Sequence, residues 1–120
     1  LIAYDLGTGG IKASLFSEDG ASLSDVFIQY ETYFPQEHFV EQRPMDWWDH
    51  VCAATQKLLL TSGSSASDIA CVALSGHSLV AVPLDSMGRL LADQVPSGVT
   101  CGQRKRQENC FRSWIMTDGT

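Results

Sequence analysis

The residues whose types and spacing suit chemistry lie close to the start of the chain, in Asp5-Leu6-Gly7-Thr8-Gly9-Gly10-Ile11-Lys12. Small residues at a hairpin tip leave backbone N–H groups uncovered, and such groups can converge on phosphate oxygens. Thr8 adds a hydroxyl. Asp5, at the end of a strand, can hold a magnesium ion directly or through water. Lys12 stands near enough to lend positive charge. An ordinary glycine-rich hairpin with an Asp turn cap has the same composition, because turns favour Gly, Asp and Thr.

Strands must flank this tip. Residues 1–4 form a short apolar run, and residues 11–16 alternate, with Ile11, Ala13 and Leu15 on one face and Lys12 and Ser14 on the other. Glu18-Asp19-Gly20 reads as a second turn, since Asp-Gly tolerates the positive φ of a tight hairpin. A third strand over about residues 22–30 completes a meander. Residues 31–43 read as irregular and aromatic-rich, and Pro44 then suits a first helical turn. Trp48, Val51, Cys52, Leu58 and Leu59 recur at helical spacing and predict an amphipathic helix over 45–60. The apolar run 69–74 predicts a strand buried on both faces. Ser75-Gly76-His77-Ser78 breaks it, residues 79–84 predict a further strand, and Asp85-Ser86-Met87-Gly88 a turn. The order βββαββ describes an α/β chain with a mixed sheet and a crossover helix.

At 120 residues the chain has room for one small domain, and 44% hydrophobic with 18% charged residues marks a foldable sequence. No apolar run approaches the roughly 18–20 residues that span a bilayer. The net charge of −6 is uneven: residues 1–96 carry 12 acidic and 4 basic side chains, residues 97–120 carry 2 and 4. An acidic body argues against a nucleic-acid surface. Arg104-Lys105-Arg106 reads as a solvated stretch. Cys52, Cys71, Cys101 and Cys110 form no C-x-x-C pair, which favours free thiols in a reducing cytoplasm. No basic region precedes the first apolar run, so no cleavable signal is expected. A first residue Leu1 rather than Met is expected of a piece of a longer chain.

The segment from Tyr4 to Lys12 resembles the first phosphate-binding motif of the FGGY carbohydrate kinases, a family with an actin-like, ribonuclease-H-like fold. Three further segments follow in the family's order. Phe39-Val40-Glu41-Gln42-Arg43-Pro44-Met45-Asp46-Trp47-Trp48 resembles its Glu-Gln-x-Pro, Trp-Trp segment. Residues 69–78 resemble its buried strand leading into Ser-Gly-Gln, and residues 82–91 its next strand and D-x-x-G-x-x-L turn. The resemblance covers residues 1–96 and is strongest to xylulokinase-like members. It implies that Asp5, Gly7, Thr8, Gly9 and Lys12 face ATP phosphates and Mg2+, with Asp5 the metal-side residue. It also implies that Gly76, His77 and Ser78 line a sugar site, with His77 where the family more often has Gln. Glu41 and Gln42 are expected as helix-start residues, one of Trp47 and Trp48 as packing and the other as peripheral.

The implied reaction is ATP-dependent phosphorylation of a hydroxyl on a ketopentose or related sugar or polyol. The aspartate base belongs to a later segment, so no catalytic residue is assigned within these 120 residues and the isolated chain is expected to be inactive. The alternative is a non-catalytic relic or a small sugar- or phosphate-binding module, whose unfinished sheet favours association, including homo-oligomers. Residues 97–120 depart from the family's P-x-x-W-x-D-x-R. Back-translated one base earlier, Ser97 to Gly102 permit Ile-Trp-Ser-Asp-Met-Arg directly after Pro96. The tail is therefore expected to be out of frame, the competing expectation being a divergent loop and helix.

Overall fold

The computed structural model describes residues 1–37, 39–78 and 80–97. Alternating side chains produce the meander: β1 (Ile2–Leu6), β2 (Gly10–Phe16) and β3 (Ser22–Gln29) are antiparallel neighbours. The register pairs Ile2 with Leu15, Tyr4 with Ala13 and Leu6 with Ile11, so these apolar residues share one face. Val26 and Ile28 extend that face from β3, opposite Ala13 and Ile11. The period of two puts Asp5 and Lys12, also register partners, on the other face. Gly20, at φ 84°, closes the second turn as the Asp-Gly pair predicts.

Helix α1 (Pro44–Ser62) covers the apolar face. Pro44 opens it, where its missing N–H costs nothing, and Gly63 at φ 69° closes it in the left-handed conformation. The stripe turned to the sheet is Trp47, Val51, Ala54 and Leu58, with Ala54 and Leu58 fully buried. This corrects the expected stripe: Trp48 is 61% exposed and Cys52 and Leu59 are only partly covered. Two contacts pin helix to sheet. The Tyr4 and Thr55 hydroxyls meet at 2.5 Å, and those of Ser24 and Thr61 at 2.8 Å.

After α1, a short turn capped by Ser65 leads to β5 (Val72–Gly76). It pairs with β1 in parallel, giving the sheet order β3-β2-β1-β5. A strand buried on both faces was expected here, and the structure overturns it. Val72 and Leu74 are 62% and 71% exposed although they stand in register with buried Ile2 and Tyr4. The reason is position: α1 lies over β2 and β3, and β5 is at the sheet edge beyond its footprint.

The strand expected over 79–84 does not form across its described part, 80–84. Leu84 makes a single bridge to Leu90 around the Asp85 turn, with Gly88 at φ 78°. Pro83 has no N–H to give a ladder, which fits this outcome. Order appears instead in the segment expected to be irregular. β4 (Glu41–Gln42) pairs antiparallel with β6 (Val95–Pro96), and Tyr33 bridges to Glu41. Leu79 and residues 98–120, which hold nearly all of the expected out-of-frame tail, lie outside the described residues.

Candidate active site

β1 and β5 end side by side. Leu6 and Gly76 are register partners, and the glycine hairpin leaves β1 where His77 leaves β5. In parallel sheets this carboxyl end is where ligands gather. Asp5 and Lys12 flank the hairpin as a cross-strand pair of opposite charge, with Asp5 also opposite Ser75 of β5. Thr8 and Gly9 are exposed at the tip, and a Cβ added at Gly9 would meet nothing within 4 Å. Gly10 is the reverse. A Cβ there would lie 2.5 Å from the Ile28 carbonyl oxygen and 2.6 Å from the Phe27 ring. None of the hairpin glycines has a positive φ, so close approach rather than conformation requires Gly at position 10.

His77 is bound to the hairpin's base. Its backbone N–H donates to the Leu6 carbonyl at 2.9 Å, and its Nδ1 lies 2.6 Å from the same oxygen. A carbonyl only accepts, so Nδ1 carries the proton, and in the neutral ring Nε2 is left as an acceptor. That Nε2 is buried and has no partner among the described residues. Trp47 packs edge-on against the ring, with centroids 5.0 Å apart. Ser78 follows, exposed.

The structure thus brings Asp5, Gly7, Thr8, Gly9, Lys12, Gly76, His77 and Ser78 to one end of the sheet. Two neighbours escaped the sequence reading. Phe27 lies across Gly10 on the Lys12 face, and Gln42 is a buried link, 1% exposed, rather than only a helix-start residue. A polar pair directly ahead of a Pro-started helix was the available signal for Gln42. Electrostatics reinforce the face beyond Lys12. The Ser14 hydroxyl, 2.5 Å from Asp25, holds that carboxyl below the usual carboxylate range, with help from Ser22 and the Lys12 charge. On the α1 side, burial first and the Asp5 charge second push the Tyr30 phenol up to about 12.

The donor set also bears on a metal. No cluster of three His, Cys, Asp or Glu side chains that could hold an ion occurs among the described residues. Asp5 alone fits magnesium, which keeps several waters and is commonly held by one or two carboxylates together with substrate phosphates.

Fold and site geometry together define a ribonuclease-H-like, actin-like ATPase fold with a mixed sheet. The sequence profile of the FGGY family of carbohydrate kinases, N-terminal domain, matches residues 1–108, and the chain belongs to that family. A glycerol kinase of Symbiobacterium thermophilum is 28% identical over 86 residues, which is 72% of this chain and 17% of that protein. Among solved structures, a xyloylose kinase from Brucella ovis superposes with a TM-score of 0.73 at 28% identity over 78% of this chain and 20% of that one. A xylulose kinase from Rhodospirillum rubrum gives 0.72 at 23% identity, over 92% and 23%, a likeness of fold. The chain spans about a fifth of the length of these relatives. Among the described residues no helix is long and apolar enough to cross a membrane.

Proposed function

We propose that the chain is the N-terminal part of an ATP-dependent kinase acting on a hydroxyl of a small sugar or polyol, a ketopentose such as xylulose being the preferred candidate. The observation that carries this reading is the attachment of His77 to Leu6, which sets an Nε2 with no partner among the described residues at the base of the exposed glycine hairpin. The hairpin N–H groups, the Thr8 hydroxyl and Lys12 serve the ATP phosphates. Exposed Ser78 can donate to or accept from a substrate hydroxyl, and His77 Nε2, buried beside it, accepts one once its cover moves aside. Asp5 holds magnesium, which when bound offsets phosphate charge. Relatives named as kinases of glycerol and of xyloylose support the class.

Phosphoryl transfer needs base, metal and both substrates held together, and the resemblance assigns the base to a later segment. The 120-residue chain is therefore expected to bind MgATP weakly and to show no turnover with D-xylulose or glycerol in a coupled assay. Two-dimensional NMR during a MgATP titration tests the site. Shifts confined to Gly7–Lys12 and His77, and about tenfold weaker binding in Asp5→Asn, support the reading. Turnover by the isolated chain refutes the placement of the base, and shifts elsewhere refute the site.

A further inference from the structure

Gln42 sits in β4, outside the main sheet, and is 1% exposed. A buried carboxamide needs both its ends satisfied. Its Nε2 donates to the Thr8 carbonyl at 2.7 Å and to Thr32 Oγ1 at 3.2 Å, and its Oε1 accepts from Trp47 Nε1–H at 3.1 Å. The chemistry fixes the orientation, because a carbonyl only accepts and an indole N–H only donates.

The consequence falls on the peptide between Thr8 and Gly9. A trans peptide is planar and points its C=O and N–H in opposite directions. With the Thr8 carbonyl held inward by Gln42, the Gly9 N–H is turned outward, on the exposed side of the tip where a Cβ would meet nothing within 4 Å. The other end of the same amide holds Trp47, whose ring edge rests on His77. One side chain therefore ties the hairpin tip to the ring that meets the hydroxyl side.

We infer that Gln42 is a positioning residue: it aims the Gly9 N–H at the phosphate and, through Trp47, sets the His77 ring. The inference rests on the phosphate reading of the hairpin proposed above. Gln42→Glu tests it because size is kept while the donor changes with pH. Ionised, the introduced carboxylate faces the Thr8 carbonyl with no proton to give; protonated, a form that burial favours, it can donate again, and carbon-detected NMR of the side-chain carboxyl reports which form is present.

The experiment follows Gly9, the Trp47 indole and His77 by NMR in the 120-residue chain while MgATP is titrated. With the carboxyl ionised, Gln42→Glu is expected to move all three signals together and weaken MgATP roughly tenfold. With it protonated, signals and affinity are expected to return close to those of the parent at the same pH. Parent-like binding with the carboxyl ionised, or loss that persists on protonation in a folded variant, overturns the inference. If the parent binds no MgATP yet the three signals still respond together with acid recovery, the phosphate reading fails and the coupling stands. Trp47→Phe keeps an aromatic ring at the position and drops the N–H. Should Gln42→Glu not fold, weaker binding with a shifted Gly9 in Trp47→Phe supports the inference, and parent-like binding overturns it.

Discussion

Gly10→Ala separates a glycine required by packing from those proposed to meet phosphate. The added Cβ would lie 2.5 Å from the Ile28 carbonyl oxygen, against an ordinary contact of at least 3.4 Å, so about 0.9 Å must be recovered. Phe27 is 63% exposed and its ring can swing aside, but the Ile28 carbonyl belongs to the β2–β3 ladder and cannot move alone. Overpacking costs about 1–3 kcal/mol, and a backbone neighbour puts this site near the upper end. For a domain of this size each kcal/mol is worth roughly 4–8 °C, so melting should fall by about 12–24 °C. Gly9→Ala is the matched control. Its Cβ meets nothing within 4 Å, and stability should stay within about 0.5 kcal/mol of the parent while MgATP binding weakens. Thermal melts by circular dichroism read both variants. Adding Phe27→Ala to Gly10→Ala should restore less than half the loss, because the carbonyl contact remains. A Gly10→Ala chain melting within about 4 °C of the parent refutes the reasoning.

Tyr30→Phe removes a buried hydroxyl that has no partner among the described residues and should stabilise the fold by about 1 kcal/mol in urea melts. A phenol raised from 10 to about 12 keeps its full contribution below pH 10 and loses it as pH climbs through 12. The shift corresponds to at most about 2.7 kcal/mol, and solvent screening brings this nearer 1 kcal/mol; comparing midpoints at pH 8 and pH 11 should show the loss in the parent and not in the variant. Asp25 has the opposite sign. Its lowered carboxyl contributes above the ordinary value of 3.8 and loses that as pH falls through the folded value, and Ser14→Ala should raise its titration in carbon-detected NMR. Val72→Thr with Leu74→Lys alters two exposed positions on an edge strand; folding should be unchanged, while light scattering should show less self-association.

The meander was legible because alternation over residues 11–16 fixes one face, and that face fixes the register with Tyr4 and Ile2. The helix was legible from Pro44 and its spacing, although a stripe through Trp48 lies one position away from the true one through Trp47. What failed was nonlocal. An apolar run such as residues 69–74 states a wish for cover without saying whether cover is present, and at this sheet edge none of the described elements supplies it. Pairing of Gln42 with Val95 joins segments 53 residues apart and leaves no periodic trace in either. Within the candidate site, the hairpin between Asp5 and Lys12 could be read from its glycines because the geometry of a tip is local. Gln42 could not, since its meaning lies in three partners at positions 8, 32 and 47.

The parallel pairing of β5 with β1 also sets an order of events. Ile2 meets Leu15 across 13 residues, but Val72 across 70. Closing the longer loop costs more chain entropy and slows the pairing, while the meander and α1 already bury a shared core. The meander and helix should therefore assemble first and β5 dock last, and its amides should exchange with solvent at the lowest opening free energy in the main sheet. His77 follows that strand directly, so it reaches the Leu6 carbonyl only when the final strand closes, after the glycine hairpin has already formed.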